Sequence, residues 1–227
     1  MKKADSWSWP DGERHMLDWI ADPKNRLVLN GRPAYQGKKQ VACLAHLPAD
    51  QRRVMIDVGA HIGLWSFNFA HWFKRVEAFE PVADHRACFV ENLGPIFDEV
   101  KSVRLHPFAL GDRAKLVSIR VNPSSTGDSW VDKHEVSGKA SVEQKTLDSF
   151  QFAYVDLIKV DCEGYEEFVL RGAEETIKQW KPLICVEQKR DMARKFDLQP
   201  LGALAYLKTL GYRSVDEISG DYIMQAT

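Results

Sequence analysis

An open α/β fold, a mostly parallel sheet with helices on both faces, is predicted by three features of this 227-residue chain. First, the apolar stretch Val54-Met55-Ile56-Asp57-Val58 runs into the turn Gly59-Ala60-His61-Ile62-Gly63 and then into a helical pattern. That order sets backbone N–H groups and a helix N-terminus at the carboxyl edge of a sheet, where open α/β folds hold nucleotide-like ligands. Second, strand-like and helical segments alternate at short spacing after residue 51, the pattern of a parallel sheet. Third, only residues 217–221 separate the last two strand-like runs. That is too short for a parallel crossover, so they close the sheet as an antiparallel hairpin.

The composition excludes several classes. Hydrophobic residues make up 44% and charged residues 28%, enough to bury a core and keep a polar surface. A net charge of −1 without a polybasic cluster argues against nucleic acid or an anionic membrane as partner. No apolar run reaches the ~20 residues of a membrane span, and no apolar segment of a secretory leader follows Lys2 and Lys3. Cys43, Cys88, Cys162 and Cys185 have neither C-x-x-C nor zinc spacing, which points to reduced, inert thiols in a cytoplasmic setting.

Residues 1–50 read as an N-terminal extension. Trp7, Trp9 and Trp19 flank a short helix at 13–20, Asn30-Gly31-Arg32-Pro33 marks a turn, and 35–47 is expected as a hairpin around Gly37-Lys38-Lys39. The main domain is expected over 51–227. Strands are predicted at 53–58, 75–80 and 100–107, with helices at 64–73 and 83–92, the latter starting just after Pro81. A strand at 115–121, a polar loop at 122–129 and a mixed segment at 131–145 interrupt the alternation. This insertion, at about 113–146, is expected to face the substrate. Strands at 154–160 and 183–187, helices at 165–170, 173–180 and 201–210, and closing strands at 212–216 and 222–225 complete the pattern.

The candidate chemistry lies at strand ends. Gly59 and Gly63 are spaced G-x-x-x-G rather than the G-x-G-x-x-G that cradles a pyrophosphate, which favours a nucleoside with a different tail. Gly59 would admit the ligand close to the backbone, and Gly63 would let the helix sit tightly on the sheet. Glu80 ends the second strand 21 positions after Gly59, the place of an acid that grips ribose hydroxyls. Capping of the following helix is its bland alternative. Asp57 is expected to hold the turn near an amino end of the ligand. In Lys159-Val160-Asp161-Cys162-Glu163-Gly164, Lys159 and Asp161 share a strand face. If that strand neighbours the first, Lys159 neutralises Asp57. Asp161, Glu163 and Glu187 reach the same edge and are the candidate catalytic acids, against the alternative of structural ion pairs and caps. Ala109 and Leu110 would wall a flat base, with Asp112 reaching an exocyclic amine. His61 lies in the ligand turn. His15, His46, His71, His85, His106 and His134 lack metal spacing and read as surface or packing residues, and no metal is expected.

These motifs occur in one order: 57–63, Phe79-Glu80-Pro81, Ala109-Leu110-Gly111-Asp112, Thr146-Leu147-Asp148, 159–164 and 182–187. In that order the chain resembles the FkbM family of S-adenosylmethionine-dependent methyltransferases, associated with O-methylation of natural products and glycans. The resemblance implies a Rossmann-like class I methyltransferase sandwich with seven strands in the order 3-2-1-4-5-7-6 and the seventh antiparallel. It also implies S-adenosylmethionine as cofactor. Asp57, Gly59, Ala60, His61 and Gly63 would lie along its methionine part, with Glu80 and Pro81 at the ribose and Ala109 and Leu110 by the adenine. Asp161 would lie near the amine and the transferred methyl. The chain departs from the family at His61, where Asn is usual.

The expected activity is methyl transfer to a hydroxyl of a sugar, glycan or small metabolite, with Glu163 preferred as base. An NAD-linked oxidoreductase or a non-catalytic nucleotide-binding module are the alternatives. Trp7, Trp9, Tyr35 and Trp130 would either stack on a sugar or hold the extension down.

Overall fold

Val, Ile and Leu-rich segments pair into one seven-stranded sheet. Its strands are β1 (Val54–Val58), β2 (Arg75–Phe79), β3 (Val103–His106), β4 (Val155–Val160), β5 (Leu183–Glu187), β6 (Tyr212–Ile218) and β7 (Asp221–Ala226). From one edge to the other the order is β3-β2-β1-β4-β5-β7-β6. All neighbours are parallel except β7, which runs antiparallel to β5 and β6. This is the class I methyltransferase arrangement. Ser219 and Gly220 turn the closing hairpin with φ of 54° and 84°, the pair of left-handed residues that a two-residue hairpin loop requires. The computed structural model describes residues 1–100, 102–132, 141–189 and 191–227, with backbone alone over 95–100.

Alternate residues of the central strands feed two cores, as the two-residue period of a strand dictates. Met55, Leu157, Leu183 and Cys185 face one way, toward α1 (His15–Ala21), α2 (Gly37–Ala45), α3 (Leu64–Ala70) and α4 (Ala83–Val100). Ile56, Val58, Ile158, Val160, Ile184 and Val186 face α5 (Glu166–Arg171), α6 (Glu174–Trp180) and α7 (Gly202–Thr209). Asp57, Lys159 and Glu187 therefore share the first face. They stand one step closer to the carboxyl edge than the apolar side chains beneath them.

The hairpin expected at 35–47 is instead helix α2. Gln36, at φ 55°, makes the turn, and the lysine read as a loop residue faces inward. Lys39 Nζ donates to Asp221 Oδ1 at 2.6 Å, while Gln40 Nε2 donates to the Tyr35 carbonyl and its Oε1 accepts from Asn68. Tertiary partners for polar residues outweigh the local Gly-Lys-Lys turn signal. The strand expected from residue 100 begins only at Val103, because α4 runs on past Gly94-Pro95 to Val100. A short hairpin, Lys2–Ala4 with Trp7–Trp9, was not legible in the sequence.

Trp7 and Trp9 are 1% and 0% exposed. Trp7 packs edge-on against Phe67, so both tryptophans hold the N-terminal segment down rather than face a sugar. The segment after β3 forms a second sheet in the order Trp130–Asp132, Lys115–Arg120, Ser141–Lys145, Ala109–Leu110. His134 and most of the mixed segment at 131–145 lie outside the described residues. Among the described residues no helix is long and apolar enough to cross a membrane.

Candidate functional site

The β1 strand delivers its chain into a turn in which Gly59, His61 and Gly63 all have positive φ, at 73°, 50° and 87°. A Cβ on Gly59 would lie 2.0 Å from the Asp161 carbonyl oxygen, so the two strand ends touch through backbone. A Cβ on Gly63 would meet Leu93 and Phe89 at 2.5 and 2.9 Å. Gly63 therefore lets α3 approach α4, not the sheet as the sequence reading had it.

Two cavities open above this turn and share the wall formed by Gly59, His61, Gly127 and Asp161. The first has an apolar slot of Phe79, Phe108, Leu110, Ile119, Val131 and Tyr165, with Glu80 and Pro81 at one side and Ala109 along it. Glu80 is 4% exposed. Its Oε2 accepts the His61 N–H at 2.8 Å, its Oε1 accepts the Val82 N–H at 2.8 Å, and His85 Nδ1 lies 3.3 Å from Oε1. The acid thus ties the β1 turn to the start of α4 while facing the cavity.

The second cavity is acidic below and aromatic at its side. Asp161, Glu163, Glu187, Lys159 and Lys189 meet Tyr35, Trp65, His15 and Met16 there, and Ala60 completes the turn. One carboxylate oxygen from each of Asp161, Glu163 and Glu187 lies within 4.8 Å of the others. Such a trio has the hard oxygen donors that suit a divalent cation. Lys189 supplies positive charge to it, with Nζ 3.0 Å from Glu187 Oε1 and 3.6 Å from Glu163 Oε1.

Burial and crowding split these acids. Burial opposes ionisation of Asp161, yet Lys159, Lys189 and Lys39 overcome it and hold its carboxyl below the usual range. Burial, then the Asp161 charge, pushes Glu163 up to about 8 and Glu187 to about 10. Like charges at short range resist ionising together, so Glu187 holds its proton to higher pH than Glu163. Lys159 is raised despite burial by Asp57 and Asp161, and remains an ammonium.

The loop carrying Asp161 and Glu163 is fixed from below. Glu166 accepts the N–H groups of Cys162 and Gly164 at 3.0 and 2.9 Å, and Gln188 donates to its other oxygen. Burial raises the Glu166 carboxyl to about 7. Asp148, in the 146–148 motif, caps α6 by accepting from the Thr176 N–H and hydroxyl at 2.9 and 2.7 Å. Burial also pushes the Cys162 thiol well above its ordinary range. The Cys185 thiol is raised likewise, first by its hydrogen bond with Cys43 and then by burial.

Of the residues singled out in the sequence, Gly59, His61, Glu80, Pro81, Ala109, Leu110 and Asp161 line the first cavity. Ala60, Glu163 and Glu187 line the second. Asp57 and Gly63 line neither. Asp57 is fully buried beneath the turn, accepting from Ser66 Oγ at 2.7 Å. Asp112 also stands outside both cavities, with a buried Oδ1 that has no partner among the described residues. His85, read as a surface or packing residue, is 2% exposed and lines the first cavity beside Glu80. Its place in the first turn of the helix after the Glu80 strand was the available signal. Glu13 and Thr126 were missed because their partners are remote in sequence, whereas Lys189 was missed although Glu187 stands only two positions before it.

The family model described as the methyltransferase FkbM domain matches residues 57–214. No curated protein sequence matches the chain. Among solved structures it is similar to methyltransferase FkbM from Methylobacillus flagellatus KT. The identity is 19% and the TM-score 0.53, over 77% of this chain and 43% of that one. The chain thus spans less than half the length of that protein. It is also similar to precorrin-6y C5,15-methyltransferase from Geobacter metallireducens (13% identity, 89% and 94% covered, TM-score 0.48). An rRNA methylase from Streptococcus thermophilus gives 12% identity, 84% and 95% covered, and a TM-score of 0.49. With the family pattern running from Asp57 at the end of β1 into β6, the chain belongs to the FkbM methyltransferase family.

Proposed function

We propose that the protein is an S-adenosylmethionine-dependent methyltransferase acting on a hydroxyl of a sugar, glycan or small metabolite. The observation that carries this reading is the pair of cavities joined at Gly59, His61 and Asp161. One offers a flat apolar slot and a diol-facing acid, and the other a cluster of proton-holding carboxyls. The residues present fit the cofactor. Glu80 keeps an acceptor position open for ribose, Phe79 and Leu110 suit an adenine ring, and the Gly59 turn lines both cavities. When bound, S-adenosylmethionine supplies a methyl group already activated on a sulfonium.

The protein's own task is then alignment and proton handling. Tyr35 and Trp65 give the acceptor cavity aromatic surface, and Asp161 at the shared wall holds negative charge beside the reaction point. Orientation of this kind is worth up to roughly 7–11 kcal/mol in ideal cases. Glu163, with a carboxyl at about 8, has the proton affinity of a base for a hydroxyl near neutral pH. Glu187 stays protonated and hydrogen-bonds Asp161, which keeps that carboxylate from competing for the proton.

Isotopically labelled methyl in the cofactor, screened over glycans, glycolipids and hydroxylated metabolites, tests the reading. Transfer of label to an acceptor oxygen is expected. Calorimetric binding of NAD with none of S-adenosylhomocysteine would replace the reading with an oxidoreductase.

A further inference from the structure

A third cavity of about 310 Å³ adjoins the second, with Tyr35, Gln36 and Lys189 lining both. That volume falls in the range of small-molecule pockets. Its walls are α1, the start of α2 and the turn of the closing hairpin, and their charge differs from that of the second cavity.

The second cavity is lined by the carboxyls of Asp128, Asp161, Glu163 and Glu187. Lys38, Lys39 and Lys189 line the third, where Glu187 is the one carboxyl among the described residues. Burial, then the Asp161 charge, keeps the Glu187 proton in place up to about 10, so at neutral pH it sets no charge against the lysines. Lys39 is answered by Asp221 at 2.6 Å. Lys38 is exposed and forms no ion pair among the described residues, and Lys189 pairs with the proton-holding Glu187 and Glu163. A carboxylate or phosphate in this space would accept charge-assisted hydrogen bonds from such ammonium groups.

Aromatic surface stands beside the cations. Trp19 and Tyr35 both line the third cavity and form an edge-on pair with ring centroids 4.8 Å apart. Rings of this kind offer flat apolar surface to the C–H face of a sugar. Charge then sets direction. Asp161 stays ionised in the second cavity and disfavours an anion there, whereas the lysines of the third favour one. An acceptor that carries both groups is thereby oriented, hydroxyl toward the second cavity and anion toward the third.

We propose that the acceptor is an acidic sugar whose carboxylate or phosphate sits on Lys38 and Lys189 in the third cavity, while the hydroxyl to be methylated reaches Asp161 and Glu163 in the second. The proposal rests on the methyl-transfer reading above. It places acceptor choice largely on Trp19, Tyr35 and Lys38, which precede Asp57, where the family pattern begins.

Nitrogen-15 NMR titrations test it, comparing glucuronate, glucose 6-phosphate and glucose on protein saturated with S-adenosylhomocysteine. At least one of the two anions should bind about tenfold more tightly than glucose, close to the value of one hydrogen bond to a charged group, and should shift the amides of Lys38 and Ser219. A response to glucuronate alone identifies a carboxylate acceptor, and a response to glucose 6-phosphate alone a phosphorylated one. Lys38→Gln, a change at an exposed position, should cut the preference to about threefold or less, with glucose and S-adenosylhomocysteine bound as before. Added salt should weaken the anion on the wild type and leave glucose unchanged, a readout that needs no variant. No preference for either anion, or a preference that Lys38→Gln leaves intact, would overturn the proposal while cofactor binding stands. Failure of S-adenosylhomocysteine itself to bind would instead remove the methyl-transfer reading, and the acceptor assignment with it.

Discussion

Lys159 and Asp57 stand opposite one another on β4 and β1, with Nζ 3.3 Å from Oδ1 and both side chains buried. Lys159 Nζ also donates to the Gly59 carbonyl at 2.8 Å, so one cation ties both strand ends to the turn at 59–63. Removing it leaves Asp57 charged without compensation in the core. Lys159→Met is expected to lose about 3–5 kcal/mol of stability, the cost of breaking a buried pair from one side. Urea unfolding checks this, and a loss below 1 kcal/mol would show that the pair does not hold the turn.

Glu80 accepts two backbone N–H bonds and faces the proposed ribose position. Glu80→Ala should lower cofactor affinity by ~1.5–3 kcal/mol for each hydrogen bond to the charged group that disappears. Calorimetry with S-adenosylhomocysteine reads the change. Unaltered affinity would take Glu80 out of the site.

A base works only when deprotonated, and burial beside Asp161 raises Glu163 to about 8. The methyl-transfer rate should therefore climb as pH rises through about 8. Glu163→Gln should bind cofactor normally, run at least tenfold slower and lose that climb. A variant that keeps the wild-type profile would move the base elsewhere.

Stability should run against activity in pH. Glu163 and Glu187 have ordinary values of 4.5 and folded values of about 8 and 10. Between these limits the folded state holds more protons than the unfolded, so stability is greatest below the ordinary value and falls as pH rises. Glu187→Gln removes its share of that fall. Its melting temperature should exceed that of the wild type at pH 9 and match it near pH 4, as thermal unfolding at the two values would reveal.

The central architecture was legible because its signals are local. The apolar runs at 54–58 and 155–160, the glycine turn at 59–63 and the short 217–221 link each constrain geometry without remote partners. The same signals make the Lys159–Asp57 pairing legible in the sequence. Local signals failed where long-range partners decide. Lys39 reads as a turn residue until Asp221, 182 positions away, draws it inward. Glu13 accepts the nearby Met16 N–H with one oxygen, but its other oxygen takes both the N–H and the O–H of Thr126, 113 positions on. His85 read as inert although it stands in the first turn of the helix that follows Glu80. Trp7 and Trp9 could have met either a sugar or the core, and only packing against α3 and α4 decides for the core.

A co-crystal with S-adenosylhomocysteine puts the whole account at risk in a single experiment. The ribose is expected against Glu80, the adenine between Phe79 and Leu110, and the homocysteine sulfur above Gly59 facing the Asp161 wall. A ligand seated in the second cavity among Glu163, Glu187 and Lys189, or away from the β1 turn altogether, would contradict it.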